Sequence, residues 1–470
     1  MADSTFLRGR VIPRPRLQNV GATDPRQSIP SASTHLPDRA NGRRAFRPKL
    51  SSFFVLLFLL STLIPVHFYF GPVVIHSYRL ALLIAFIPCI LIWISGRAGG
   101  IILADILLVC FVAWASLSLF VAHGVNSSIE PSGVLLVETV GAYLLARTTI
   151  RSASHFRAMA RLLFMIVLIL APLALIETVT ARSPILGLLR PFASVHPEAL
   201  TDTRWGLDRV QSVFPHPIHY GVFCASALAL TYYVVSYGSS NFVRLSRAGL
   251  VAVSVALSLS TGAFVAVIAQ FWLIGWEYLT RNVRRRWLIL GLICAAAYIG
   301  IDLLSNRTPF HVFVTYLTFN IGSAYNRIHI WNFGTAEVLR NPLFGIGFAE
   351  WQRGAWMSTS IDNFWLVIAI RHGLPAFGLF ALAVVFTIFQ IGRQRIRSPI
   401  VAAYRLGLLV TLGGLIIAGA TVHYWNHIYA LFMFLLGSGA WMLDKRQVET
   451  GPQVSRISRK HFTSPPDRMR

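Results

Sequence analysis

Arginines, aromatics and an acid stand together in one polar interruption of an otherwise apolar chain. It is the stretch SAYNRIHIWNFGTAEVLRNPLFGIGFAEWQRGAWMSTSIDNFWLVIAIRHGLP, from Ser323 to Pro375. Arg327 and Arg340 carry planar guanidinium forks that match paired phosphate oxygens and stay charged at any ordinary pH. His329, Trp331 and Asn363 flank the charged positions and are candidate substrate contacts. Asp362 opens the apolar run DNFWLVIAIRHGLP. Its carboxylate could cap a helix there, or act as the general base that deprotonates an acceptor hydroxyl; the sequence leaves both open. Further along the same run, Arg371 and His372 would place charge inside a membrane span. Such charge marks a functional site unless the side chain snorkels to the interface.

Two more polar clusters face the same way in the topology derived below. One is Arg209 with His216 and His219, and the other is the turn Ser260-Thr261-Gly262. Arg209 and Arg327 are candidates to clamp a diphosphate and to neutralise it as a leaving group. His423, Tyr424, Trp425 and His427 open the last apolar run, where an aromatic belt at the membrane surface accounts for most of the cluster; His423 is kept as a substrate contact. In NPLFGIG, Pro342 ends the helix bearing Arg340, and Gly345 and Gly347 permit a tight turn. A purely structural turn is the simpler reading of that motif alone.

The elements that must position these residues are membrane helices. The 470 residues are 55% hydrophobic and 13% charged, the composition of an all-α polytopic membrane protein. Runs near 50–69, 79–95, 99–122, 132–147, 159–180, 217–237, 248–260, 262–279, 287–304, 363–391, 399–420 and 423–442 make about twelve spans, each near the roughly 20 residues a bilayer needs. Residues 1–49 and 443–470 read as basic cytoplasmic tails, the first of them disordered. The net charge of +24 falls mostly in tails and short loops, which fits attraction to an anionic cytoplasmic leaflet better than nucleic-acid binding. With the N-terminus inside, alternate loops holding Arg97, Arg147 to Arg161, Arg244 and Arg247, Arg281 to Arg286 and Arg393 to Arg397 are all cytoplasmic. The loop AHGVNSSIEP and the long loops at about 181–216 and 305–362 are then extracytoplasmic. Both termini are expected in the cytoplasm. The four cysteines lie in apolar runs without metal spacing, and there is no Walker loop, HExxH, G-x-S-x-G or acidic metal pair. No cofactor or metal is expected.

At Arg327-Ile-His-Ile-Trp331, Asn341-Pro-Leu-Phe-Gly-Ile-Gly347, Asp362-Asn-Phe-Trp-Leu366 and Gly373-Leu-Pro375, the chain resembles the bacterial O-antigen ligase and polymerase family. Arg209 before PHPIHYG and the Ser260 turn are similar to the same pattern, so the likeness runs over roughly residues 200 to 440. It implies a C-type membrane glycosyltransferase of the bacterial inner membrane. Such an enzyme takes glycan from undecaprenyl diphosphate at the periplasmic face without a metal. Ligases pass that glycan to lipid A core, whereas polymerases pass it to another carrier-linked repeat. The resemblance implies that Arg209 and Arg327 bind the donor diphosphate. Asp362 stands where the family has a histidine, which favours the O-antigen or exopolysaccharide polymerase branch, with a flippase and a chain-length regulator as partners. A flippase or other transporter, or a non-catalytic assembly partner, remains an alternative; the crowding of polar residues on one face argues against a transporter with related halves.

Overall fold

The computed structural model describes residues 48–70, 73–199, 203–317 and 321–444. The tails expected at 1–49 and 443–470 lie almost wholly outside the described residues. Fifteen helices and one short hairpin follow in order among those described. They are α1 Pro48–Ser61, the antiparallel strands β1 His67–Phe70 and β2 Val73–His76, α2 Ser77–Ile94 and α3 Leu103–His123. Then come α4 Val125–Thr149, α5 Ala153–Thr180, the short α6 Pro184–Leu189 and α7 Pro217–Val235. The rest are α8 Asn241–Leu257, α9 Thr261–Leu279, α10 Arg286–Leu304, α11 Pro309–Leu317, α12 Ile321–Arg340, α13 Phe364–Arg393, α14 Pro399–Gly419 and α15 His427–Ser438.

Nine of these helices are long and apolar enough to cross a membrane, and two shorter apolar ones lie at Ser52–Ser61 and His427–Leu443. The chain is an all-α, multi-pass membrane protein. Eleven of the twelve apolar runs read from sequence fall mainly on helices; the run at 50–69 follows α1 only to Ser61 and then enters β1, and other ends differ for physical reasons. The run at 248–260 is α8, which starts at Asn241 because the Ser240 hydroxyl caps it by accepting from the Val243 amide at 3.4 Å. That draws Arg244 and Arg247 out of a loop and into a helix of 17 residues. AHGVNSSIEP is not a loop either. Gly124, at φ 75°, turns the chain sharply, and α4 begins at the next residue. Ser128 then donates to the Leu119 carbonyl at 2.9 Å, tying the start of α4 back to the last turns of α3. The expected outer loop at 305–362 holds two helices, α11 and α12, before an irregular stretch.

Two buried charge pairs lie inside the bundle. Arg147, expected in a cytoplasmic loop, is buried in α4 and bonds Asp105 of α3 at 2.9 Å; Tyr143 donates to the same carboxylate at 2.7 Å. Glu138, in a π turn of α4, accepts from Arg79 of α2 at 2.7 Å and from the Tyr78 hydroxyl. Around these pairs lies one large apolar core that includes Phe58, Phe111, Phe156, Phe364, Phe432 and Trp441. α10 takes almost no part in it: Leu290 is its single buried residue.

Two glycines lock α13 to the NPLFGIG segment. Gly373 interrupts the helix at φ 82°, ψ 173°, a region closed to other residues. There the Leu374 amide donates to Pro342 O at 2.7 Å, while the amides of Ile346 and Gly347 donate to the carbonyls of Ile370 and Arg371, each at 2.9 Å. A Cβ on Gly373 would run into the Leu343 carbonyl, and one on Gly345, itself at φ 63°, into the Ile370 carbonyl.

Candidate functional site

The polar residues read from sequence meet around the segment Thr421–Asn426, between α14 and α15. Thr421 O accepts from Arg327 Nε of α12 at 2.9 Å, and the same guanidinium reaches Ser323 O through Nη1 at 3.3 Å. Val422 O accepts from the Phe364 amide at 3.0 Å, which fixes where α13 begins. Asn363 caps that helix: its side chain accepts from the Leu366 amide at 3.0 Å and is 3% exposed. Asp362 is therefore released from capping. Its Oδ1 accepts from the Ser360 hydroxyl at 2.8 Å, and its charge acts on both Arg327 and His216.

The second and third clusters arrive from the other side. The carboxylate of Glu177 in α5 accepts from the amides of Gln211 (2.7 Å) and Ser212 (3.1 Å), which sets the path of the chain from Arg209 to His216. His216 Nδ1 then accepts from the Ile218 amide at 3.1 Å at the start of α7. Burial, followed by the positive charges of Arg209 and Arg204, holds its pKa down at about 4 against the pull of Asp362. The ring is neutral at pH 7, and with Nδ1 accepting, its proton sits on Nε2. His216 is thus placed to donate a hydrogen bond rather than to act as a base. Arg204 donates to Leu259 O at 2.6 Å and to the Thr261 hydroxyl at 3.3 Å, joining this cluster to the Ser260 turn. Trp425 closes the ring of contacts, with centroids 3.9 Å from His219, 5.5 Å from His423 and 6.1 Å from His216.

Beside this junction opens a cavity of about 370 Å³, whose polar lining includes Arg79, Glu130, Glu138, Arg371, His372, His423 and Asn426. Burial, and then Arg371, push the His423 pKa down to about 3. Arg371 lies 5.2 Å from the centre of the Phe348 ring and, among the described residues, pairs with no carboxylate. Arg327 is 7% exposed and likewise forms no ion pair among the described residues. Burial first, and then Arg204, lower its pKa, while Asp362 opposes the shift.

Of the residues singled out in the sequence, Arg327, Asp362, Asn363, His216, His219, His423 and Arg371 converge here, with the Asn363 side-chain oxygen taken up in capping α13. Arg209 lies beside His216 and also lines a separate cavity of about 60 Å³ with Glu177, Glu198 and Asp208. Three residues point elsewhere. Arg340 is half-exposed, bonded to Gln352 and 3.5 Å from Glu337. His329 packs on Trp356 with centroids 4.7 Å apart, and Trp331 stacks on Phe310 at 4.3 Å. Sequence reading passed over Arg204 as a site residue and missed Arg79, Glu138 and Asn426, where Arg79 Nη2 donates to Asn426 Oδ1 at 3.0 Å. A charged pair split between two apolar runs was the available signal for Arg79 and Glu138.

Residues 248–381 match a protein-family model described as O-antigen ligase. The matched segment takes in the Ser260 turn, Arg327, Asn341 to Gly347, Asp362 and Gly373, and bears out the resemblance read from those motifs. It supports glycan processing of the O-antigen ligase and polymerase type by a membrane glycosyltransferase-like enzyme. No curated protein matches the chain.

Proposed function

We propose that the chain polymerises oligosaccharide repeats carried on undecaprenyl diphosphate, at the periplasmic face of the bacterial inner membrane. The observation that carries this reading is a contrast between arginines. Arg79 and Arg147 are neutralised by Glu138 and Asp105, whereas Arg327 and Arg371 sit around the site without a carboxylate partner among the described residues. A buried unpaired charge is costly. An anion arriving from outside removes that cost, and a diphosphate suits two guanidinium forks.

In the proposed reaction an acceptor hydroxyl attacks the anomeric carbon of the donor glycan. The hydroxyl proton passes to Asp362, a bond forms from acceptor oxygen to that carbon, and the bond from the carbon to the diphosphate oxygen breaks. The carrier diphosphate leaves with the electron pair and is stabilised by Arg327 and Arg371. His216 donates from Nε2 to the departing phosphate or to a sugar oxygen. Arg204 and Arg209 add positive field beside His216, and Arg209 remains a candidate contact of the donor diphosphate. A flippase that delivers the donor and a chain-length regulator are the expected partners.

The family description favours a second reading, in which lipid A core accepts the glycan. One experiment separates the two: the protein in liposomes is given labelled carrier-linked repeat, with and without lipid A core. Growth of chains on the carrier without lipid A core supports polymerisation. Transfer that requires lipid A core replaces it with ligation. No transfer in either mixture from a folded protein, together with wild-type polymer from Arg327→Ala cells, removes the enzymatic reading.

A further inference from the structure

The β1–β2 hairpin carries a feature that glycan transfer does not use. His67 and His76 are direct partners across the hairpin. A bridge between Val66 and Val195, with the His67 amide donating to Ser194 O at 3.1 Å, lays the segment after α6 beside them and brings in His196. The three rings lie with centroids 6.0, 5.9 and 5.4 Å apart, and a ligand nitrogen from each falls within 4.8 Å of the other two. We infer that His67, His76 and His196 form a binding site for a divalent ion of the zinc class, distinct from the glycan site.

Three observations support it. First, one buried ring nitrogen on each residue lacks a hydrogen-bond partner: Nδ1 of His67, Nδ1 of His76 and Nε2 of His196, the last on a side chain 6% exposed. A stacked core of histidines would leave those atoms unsatisfied at a cost, while one cation satisfies all three. Second, the donor set is all imidazole. Nitrogen donors suit Zn²⁺, Cu²⁺ or Ni²⁺, whereas Mg²⁺ and Ca²⁺ call for oxygens. Third, the residue that follows in charge order is already neutralised: Arg79, one helical turn from His76, is bound to Glu138 at 2.7 Å. The ion would not face a bare guanidinium.

Tetrahedral zinc with bonds of about 2.0–2.1 Å needs nitrogens roughly 3.4 Å apart, so the rings close on the ion by side-chain rotation. Three protein ligands leave a fourth position. The His427 ring, 5.7 Å from His76 and 5.6 Å from His196, borders it with its Nδ1 also unpartnered. The ion would fasten the hairpin to the segment after α6, next to the residue that opens α15.

The test reads metal content, which is independent of glycan transfer. The full chain, purified without a histidine tag and placed in lipid nanodiscs, is stripped with a chelator. It is then given ZnCl2 and freed of unbound ion by gel filtration. Wild type should retain one zinc per chain more than His67→Gln or His196→Gln, and zinc should raise the Tm of wild type only. The histidines of the tails cancel in that difference. Equal zinc in wild type and variants overturns the site, as does the absence of retained zinc from folded wild type. Should a variant misfold, Co²⁺ added to stripped wild type decides. The visible bands of a tetrahedral nitrogen-ligated centre uphold the site, and their absence removes it.

Discussion

At the scale of single residues, the exchange of roles between Asp362 and Asn363 matters most. Aspartate and asparagine cap helices about equally well, so sequence could not choose between neighbours. The choice was made by the Phe364 amide reaching Val422 O, a bond across 58 residues of chain. Two outcomes follow and can be told apart. Asn363→Ala should lower stability by about 1 kcal/mol, read as a drop in Tm. Asp362→Asn should leave Tm unchanged and abolish polymer. Normal polymer from Asp362→Asn would move the base elsewhere, and His216 would be a poor replacement because its Nδ1 is already occupied. Arg327→Lys keeps the charge and loses the fork. Activity should fall on the order of a hundredfold while the protein still accumulates, and full transfer would remove the clamp. That Arg327 and Asp362 come near enough for one charge to act on the other was legible in the motif order. Which arginines form no ion pair among the described residues was not, because Glu138 and Asp105 reach Arg79 and Arg147 across long separations in sequence.

At the scale of elements, the kink of α13 is the part most exposed to a single change. Gly373→Ala meets both a forbidden backbone region and the Leu343 carbonyl, so it should cost about 1–3 kcal/mol and displace Arg371 from the cavity. The check is a Tm lowered together with activity; a variant with unchanged Tm would show that the kink is not required. The sequence offered a G-x-G and a Gly-Leu-Pro as separate turns. Their mutual contact was invisible, since backbone carbonyls carry no sequence signal. The apolar runs were legible, but their number was not the number of spans: twelve runs stand against nine helices long and apolar enough to cross a membrane among the described residues. Helix ends were less so, as α8 and α4 show, because a serine cap and a single glycine outweighed the hydropathy boundary.

At the scale of the whole molecule, the buried Arg147–Asp105 pair ties α3 to α4. Removing one partner strands the other charge, so Arg147→Ala should cost about 3–5 kcal/mol, seen as loss of folded protein, whereas Arg147→Ala with Asp105→Ala should recover part of it. The positive-inside rule counted Arg147 as a loop charge because it weighs residue type and not burial. The proposed orientation has its own check. In a background with the four native cysteines replaced, Ser305→Cys and Ser358→Cys should react with an impermeant thiol reagent added to intact cells. Protection of both until lysis would put the site on the wrong side for a periplasmic donor.

α10 has a consequence for how the protein is handled. With Leu290 alone buried, it presents an apolar surface that suits lipid tails, and through α11 it leads into α12, which holds Arg327. A micelle replaces those tails with a smaller, more fluid belt, and nothing in the protein interior would hold α10 in place against that change. Solubilised enzyme should keep its core and its melting transition yet lose transfer, and return to the bilayer should restore it.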